Sequence, residues 1–499
     1  MKKTLLAAAT MVMLLAGCKE QPQYPVLIAN EDTAVVPTAS GTVRGYYEDG
    51  VFIFKGLPYA VAERFMPPTP VPAWEGVRSC LYYGAQAPQG TRSGWKNDPE
   101  AFVYRWDDGT QSEQCQYLNI WTKNINNNEK KPVMVWLHGG GYSGGASSEL
   151  PMYDGLNLAK KDVVLVSINH RLNNLGFLDL SAFGEKYKYS GNAGVLDMIA
   201  SLQWVKENIA NFGGDPDNVT IFGQSGGGGK VSILLDSPMA KGLIHRGIVE
   251  SGSMMGITTP EYSVPFGVEV AKQLGLNEKT IDKIQEVPYA ELSEAVSKAT
   301  KIFAETGRYG GANPVMDGEV IKYPLHDSRI GEISGDVPVI IGHNVAENTQ
   351  FTSRRSTLKG GASMVGNSLR DLVVEEATAA YNAGGAKEYI YLFGKKSPIY
   401  DGAMASNHCT ELSYVFNNIY LGRHMVGSEP SAYVLAEKMS DMWVAFAKTG
   451  DPSTKKYKWE PFNPETEPTM YFDDDLRMID KNDAVIDKMM NNPEPKRGY

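Results

Sequence analysis

An α/β fold built on one large, mostly parallel sheet is the architecture this sequence predicts. Three observations carry the prediction. Short, near-continuous apolar runs recur along the chain, as central strands covered on both faces must read. Stretches with a helical apolar stripe lie between them, and strand–helix alternation argues for a parallel sheet. The chain has 499 residues, 42% hydrophobic and 21% charged, which excludes disorder, collagen-like repeats and a coiled-coil rod. No internal repeat or low-complexity linker divides it, so one large domain is preferred.

The first element is an address. Met1-Lys-Lys, an apolar run from Leu5 to Leu15 and Ala16-Gly17-Cys18 describe a secretory signal. A membrane span needs about 20 apolar residues, more than this run offers. Leu15-Ala16-Gly17-Cys18 looks like a bacterial lipobox, in which Cys18 is lipidated. Residues 1–17 are therefore expected to be a lipoprotein signal peptide, and 18–40, with Pro22, Pro25 and Pro37, a tether. Residues 41–499 form the body. The expectation is an exported lipoprotein, anchored through its N-terminal lipid on the periplasmic side or the cell surface. The net charge of −10 is the wrong sign for a nucleic-acid binder.

Within the body, strands are expected at Val133–His138, Val163–Asn169, Val219–Gly223, Gly247–Glu250, Val337–Gly342 and Glu388–Phe393. A helix is expected over Val195–Asn211, with Leu196, Ile199, Leu202, Val205 and Ile209 on one stripe. Another is expected over Ser431–Lys448, with Val434, Met439, Trp443 and Phe446, ended by Gly450-Asp451-Pro452. With Cys18 set aside, Cys80, Cys115 and Cys409 remain. At most one disulfide forms within the chain, and Cys80–Cys115 is the favoured pair, though spacing does not establish its geometry.

The chemistry starts at Val219-Thr-Ile-Phe-Gly223-Gln224-Ser225-Gly226-Gly227. An apolar strand runs into Gly-x-Ser-x-Gly and then into a helix, the form of a nucleophile elbow. A phosphate-binding loop would want Ser or Thr after Lys230, where Val231 stands. A second strand ends in His138-Gly139-Gly140-Gly141, whose bare amides can approach a ligand oxygen. A serine alkoxide needs a base, and the base an orienting carboxylate, in the chain order Ser, acid, His. Of seven histidines, His408 lies in the loop beyond Glu388–Phe393, while Glu347 lies in the loop beyond Val337–Gly342. Asp317 and Asp327 compete as the acid, and His424 reads as structural or surface.

Taken with further motifs, these residues resemble the type-B carboxylesterase family, which includes cholinesterases and bacterial para-nitrobenzyl esterases. Phe54-Lys-Gly56-Leu-Pro58, Ser112-Glu-Gln-Cys115, Asn169-His-Arg171-Leu172, Leu196-Asp197, Ser251-Gly252, Asn344-Val-Ala-Glu347 and His408-Cys-Thr-Glu411 all fit, so nearly the whole body is covered. The resemblance implies an α/β-hydrolase fold, with a mostly parallel central sheet flanked by helices. It also implies a serine carboxylesterase acting on small-molecule esters through an acyl-enzyme, with no cofactor and no metal. The family's nucleophile falls on Ser225, its acid on Glu347 and its base on His408; its oxyanion amides fall on Gly140, Gly141 and Gly226.

Five departures stand out. Gly226 replaces the usual Ala, keeping the amide but loosening the backbone. Gln224 replaces the usual Glu, which argues against choline esters. Ala87 stands where a family Cys would pair with the one matching Cys115. Cys409 replaces the usual Gly after the base and can restrict the His408 loop. Only 61 positions separate Glu347 from His408, so a shallower, more open site is expected. The rival from another class is a catalytically silent cholinesterase-like binding or adhesion module. Amide or thioester cleavage is a third reading, since the acyl-enzyme chemistry is shared.

Overall fold

The computed structural model describes residues 24–90, 98–127, 129–307, 311–347 and 366–491. The expected signal peptide and Cys18 lie outside these residues. Its centre is a 12-stranded sheet. The nine strands that build its middle are β1 (Val51–Pro58), β2 (Tyr117–Thr122), β3 (Lys131–Leu137), β4 (Val164–Ile168), β5 (Gly214–Gln224), β6 (Arg246–Glu250), β7 (Val339–Asn344), β8 (Glu388–Phe393) and β9 (Thr469–Phe472). Their order across the sheet is 1-2-4-3-5-6-7-8-9. From β4 to β9 every pairing is parallel, whereas β1 and β2 join antiparallel.

Alternation along each strand explains the continuous apolar runs. On β3, Val133, Val135 and Leu137 join the core on one face, while Met134 and Trp136 join the core on the other. The first face is covered by helices α2 (Ala193–Asn208), α3 (Gly226–Leu235) and α4 (Gly366–Ala383), which contribute Val195, Leu202, Val205, Val231, Leu234 and Val373. The second is covered by α5 (Pro430–Thr449), through Leu435, Met439, Trp443 and Phe446. A short helix, α1 (Asp98–Tyr104), lies ahead of β2 in the chain. Each such large apolar side chain contributes about 1.5–3 kcal/mol on burial. Gly450 ends α5 in a left-handed conformation, its N–H donating to the Phe446 carbonyl at 2.8 Å.

Three expectations need correction. Much of 18–40 is not a tether: Leu27–Ile28 pairs with Tyr47 and Glu48, and Val35–Thr38 pairs with Gly41–Arg44. Ala34 and Val36 are fully buried, so hydrophobic packing holds this stretch to the body. Val434 is 54% exposed, and the buried stripe of α5 runs through Leu435 instead. Cys80 and Cys115 are not joined; both are free and buried. Cys80 packs in the main core, whereas Cys115 sits in a separate small cluster with Ala87 and Leu172. Burial pushes the Cys80 thiol up to about 12 and raises Cys115 as well. Among the described residues, no helix is long and apolar enough to cross a membrane.

Candidate active site

β5 ends at Gln224 and α3 starts at Gly226, leaving Ser225 alone at the corner. Its backbone sits at φ 58, ψ −125, a strained conformation for a residue with a side chain. The corner holds because its two flanks are bare. A Cβ on Gly223 would lie 2.5 Å from the Gly227 carbonyl carbon, and one on Gly227 would collide with the Leu137 carbonyl oxygen. The Ser225 N–H donates to the Glu250 carbonyl at 2.8 Å, and Gly229 N–H donates to the Ser225 carbonyl at 3.1 Å. The partial positive charge at the start of α3 therefore faces the space around this serine.

β7 and β8 carry the other two residues. Glu347 is 2% exposed. One of its oxygens accepts from Ser251 Oγ at 2.5 Å and from the Asn344 N–H at 2.7 Å, and the other accepts from His408 Nδ1. The His408 N–H returns a bond to the Glu347 carbonyl at 3.2 Å. Burial alone would raise the Glu347 carboxyl, but the His408 charge and these hydrogen bonds hold it below the usual value. Burial alone would lower His408; the Glu347 charge and hydrogen bond outweigh it and raise the imidazole above its ordinary range. Glu347, His408 and the elbow are thus brought together. Asp317 is not part of this group: it ties a turn, accepting from the N–H groups of Glu319, Val320 and Ile321. Asp327 pairs with Arg329, and His424 packs edge-on against Phe102.

The glycine loop after β3 closes onto the elbow. Gly140 and Gly141 have φ of 84° and 62°, values open to glycine. A Cβ on Gly226 would strike the Cα, N and O of Gly141, so the two backbones are pressed together. Gly139 lies beside Ser225 itself.

Several contributors were not singled out from the sequence. Lys230, fully buried, donates from Nζ to the His138 carbonyl at 2.9 Å and braces the glycine loop. Its position one turn into α3 was the available signal. Ser251 and Glu411 were legible as family motifs, without a role. Glu411 accepts from Asn344 Nδ2 at 2.5 Å; burial and the Glu347 charge push its carboxyl up to about 7. Among the described residues, Ser225 makes no hydrogen bond to His408. Instead, Gln224 Nε2 lies 3.3 Å from His408 Nδ1 and 3.2 Å from Nε2.

A family profile described as "Carboxylesterase family" matches residues 32–363 and 352–489. The chain belongs to the carboxylesterase family. It is 33% identical over 493 residues to the para-nitrobenzyl esterase of Bacillus subtilis, covering 91% of this chain and 97% of that one. It is 30% identical to the phenmedipham hydrolase of Pseudarthrobacter oxydans, over 84% of this chain and 90% of the other. Among solved structures, an esterase of Clostridium hathewayi described as able to hydrolyze aliphatic aromatic polyesters superposes with a TM-score of 0.83. Its identity is 33%, over 94% of this chain and 99% of that one. The α/β-hydrolase architecture and the class of the reaction follow: this carboxylesterase is a serine-dependent carboxylic ester hydrolase. The silent-module reading is not favoured.

Proposed function

We propose that this carboxylesterase cleaves neutral small-molecule esters through an acyl-enzyme on Ser225. His408 Nε2 takes the Ser225 proton as Oγ bonds to the ester carbonyl carbon. The amides of Gly140, Gly141 and Gly226 receive the oxyanion. Collapse breaks the bond to the alcohol oxygen, which takes the proton back from His408. Water, deprotonated by the same ring, then releases the acid and restores Ser225. Glu347 stays ionised throughout and holds Nδ1–H.

The observation that carries this reading is the His408–Glu347 hydrogen bond beside a serine on a strained strand–helix corner. The Ser225–His408 hydrogen bond that is not made here is of the kind that forms once substrate binds. Relatives named for para-nitrobenzyl, phenmedipham and aromatic polyester cleavage support an aromatic ester as the first substrate to try. Gln224 brings no charge to hold a cation, so an uncharged isostere is expected to match or exceed a choline ester in kcat/KM.

Ser225→Ala is expected to lower kcat on a para-nitrophenyl ester by about 10³-fold or more, with an unchanged circular-dichroism spectrum. A variant that kept a tenth of the activity would remove Ser225 from the nucleophile's role.

The N-terminal reading stands beside this one. Residues 1–17 direct export, and Cys18 carries lipid that tethers the body through the few residues before Leu27. Cys18→Ser is expected to move the protein from membrane to soluble fractions with its esterase activity intact. An intact mass showing an unacylated Cys18 in membrane-bound protein would overturn the anchor.

A further inference from the structure

We propose that Gln224 and Cys409 act as a pair of positioning residues that set the orientation and proton affinity of His408. The inference rests on His408 being the base of the reaction above. Gln224 is 1% exposed and Cys409 is 7% exposed, so neither is a surface group that happens to lie nearby.

The geometry has a direction. His408 Nδ1 is committed to Glu347, and the Gln224 amide nitrogen lies almost equally far from both ring nitrogens, 3.3 Å from Nδ1 and 3.2 Å from Nε2, so its N–H edge rests over the face of the imidazole. The Cys409 thiol donates to Gln224 Oε1 at 3.2 Å. A thiol proton on the oxygen turns the nitrogen toward the ring, and this fixes which end of the amide the imidazole meets. Cys409 keeps this contact from a left-handed backbone, φ 73, where glycine would be at ease and a side chain is not.

Among the described residues, two carboxyl groups face His408. Glu347, after β7, is in contact with it, and Glu411, in its own turn, adds to the same field; both favour the imidazolium. A further polar neighbour, Tyr104, donates to its backbone carbonyl from an uncharged hydroxyl at 3.4 Å. Against two groups that favour the cation, the positive end of the amide N–H dipole on the ring face favours the neutral ring. The in-plane Nε2 lone pair stays open to Ser225, and the bond to Cys409 keeps Gln224 in place against the ring. The ring therefore stays available as a base at a lower pH than it would beside a carboxylate at position 224.

The test reads His408 twice. In Ser225→Ala protein, NMR of the ring Cε1–H follows its titration without catalysis. In active protein, the acid limb of kcat/KM against pH on a para-nitrophenyl ester follows the same group in the free enzyme. Gln224→Glu is expected to raise both by about one pH unit or more, as an adjacent opposite charge does. The same change lowers kcat/KM below the limb by about tenfold and leaves the alkaline plateau less affected. Cys409→Gly, which frees the amide to turn its oxygen to the ring, is expected to raise both by a smaller amount. Cys409→Ser, whose hydroxyl donates the same bond, should restore the parent value; Cys409→Ala replaces the glycine variant if that one fails to fold.

A folded Gln224→Glu protein titrating within about 0.2 pH unit of its parent would overturn the role of Gln224. Coincident curves for Cys409→Gly and Cys409→Ser would overturn the role of Cys409. A His408 titration that moves while the acid limb stays still would leave this pair intact and remove His408 as the base.

Discussion

A side chain at position 226 has no room, because the backbone of Gly141 fills the place a Cβ would take. Family resemblance alone suggests that glycine here merely loosens the chain. The packing gives a stronger reason: Gly226 lets the glycine loop press against the first turn of α3. Gly226→Ala is therefore expected to push the loop away from Ser225. Displacements near 1 Å at a reacting centre cost about a hundredfold, so kcat/KM is expected to fall roughly ten- to hundredfold. The thermal midpoint should move little by comparison; an alanine variant as active as its parent would show that the loop yields without consequence. The contrast with Ser225, Glu347 and His408 is instructive. Those three were legible because strand–loop alternation and chain order constrain where a triad can lie. The clash at Gly226, the brace from Lys230 and the tilt of Gln224 onto the ring were not, since each depends on a contact between segments far apart in sequence.

Elements show the same division. Apart from the polar start of β5 (residues 214–218), the strands from β3 to β8 could be read closely because both their faces are apolar, and burial on both sides leaves no other pattern. Leu27–Ile28 and Val35–Thr38 escaped notice because two- and four-residue strands carry too short a pattern among prolines and polar residues. Between elements, Arg171 and Asp197 form a buried ion pair. Asp197 accepts from the guanidinium at 2.8 and 2.7 Å and from the Arg171 N–H at 3.0 Å. The same guanidinium donates to the carbonyls of Glu63 and Met66, so it ties α2, the turn after β4 and the segment after β1. Removing one partner strands a charge that is 2% exposed. Asp197→Ala is expected to destabilise the fold by about 3–5 kcal/mol, read as a drop in urea midpoint. A loss below about 1 kcal/mol would mean that the carbonyls alone satisfy Arg171.

Seen whole, the molecule places its reactive corner at the carboxyl ends of β5, β7 and β8, where loops can vary without disturbing the two cores. His408 is 24% exposed at its side chain, so the base opens toward solvent while Glu347 beneath it does not. That layering separates what must stay dry from what must meet substrate.

The unlinked, buried thiols of Cys80 and Cys115 have one more consequence. Among the described residues no disulfide joins these two, so this part of the fold asks nothing of an oxidase or an isomerase. Ala87 beside Cys115 leaves that cluster with a single sulfur, so no bond closes inside it. Excess dithiothreitol is expected to leave both the refolding yield and the thermal midpoint unchanged; a fall in either would reveal a bond that the native fold needs. A body held this way is expected to reach the same fold in a reducing or an oxidising solution.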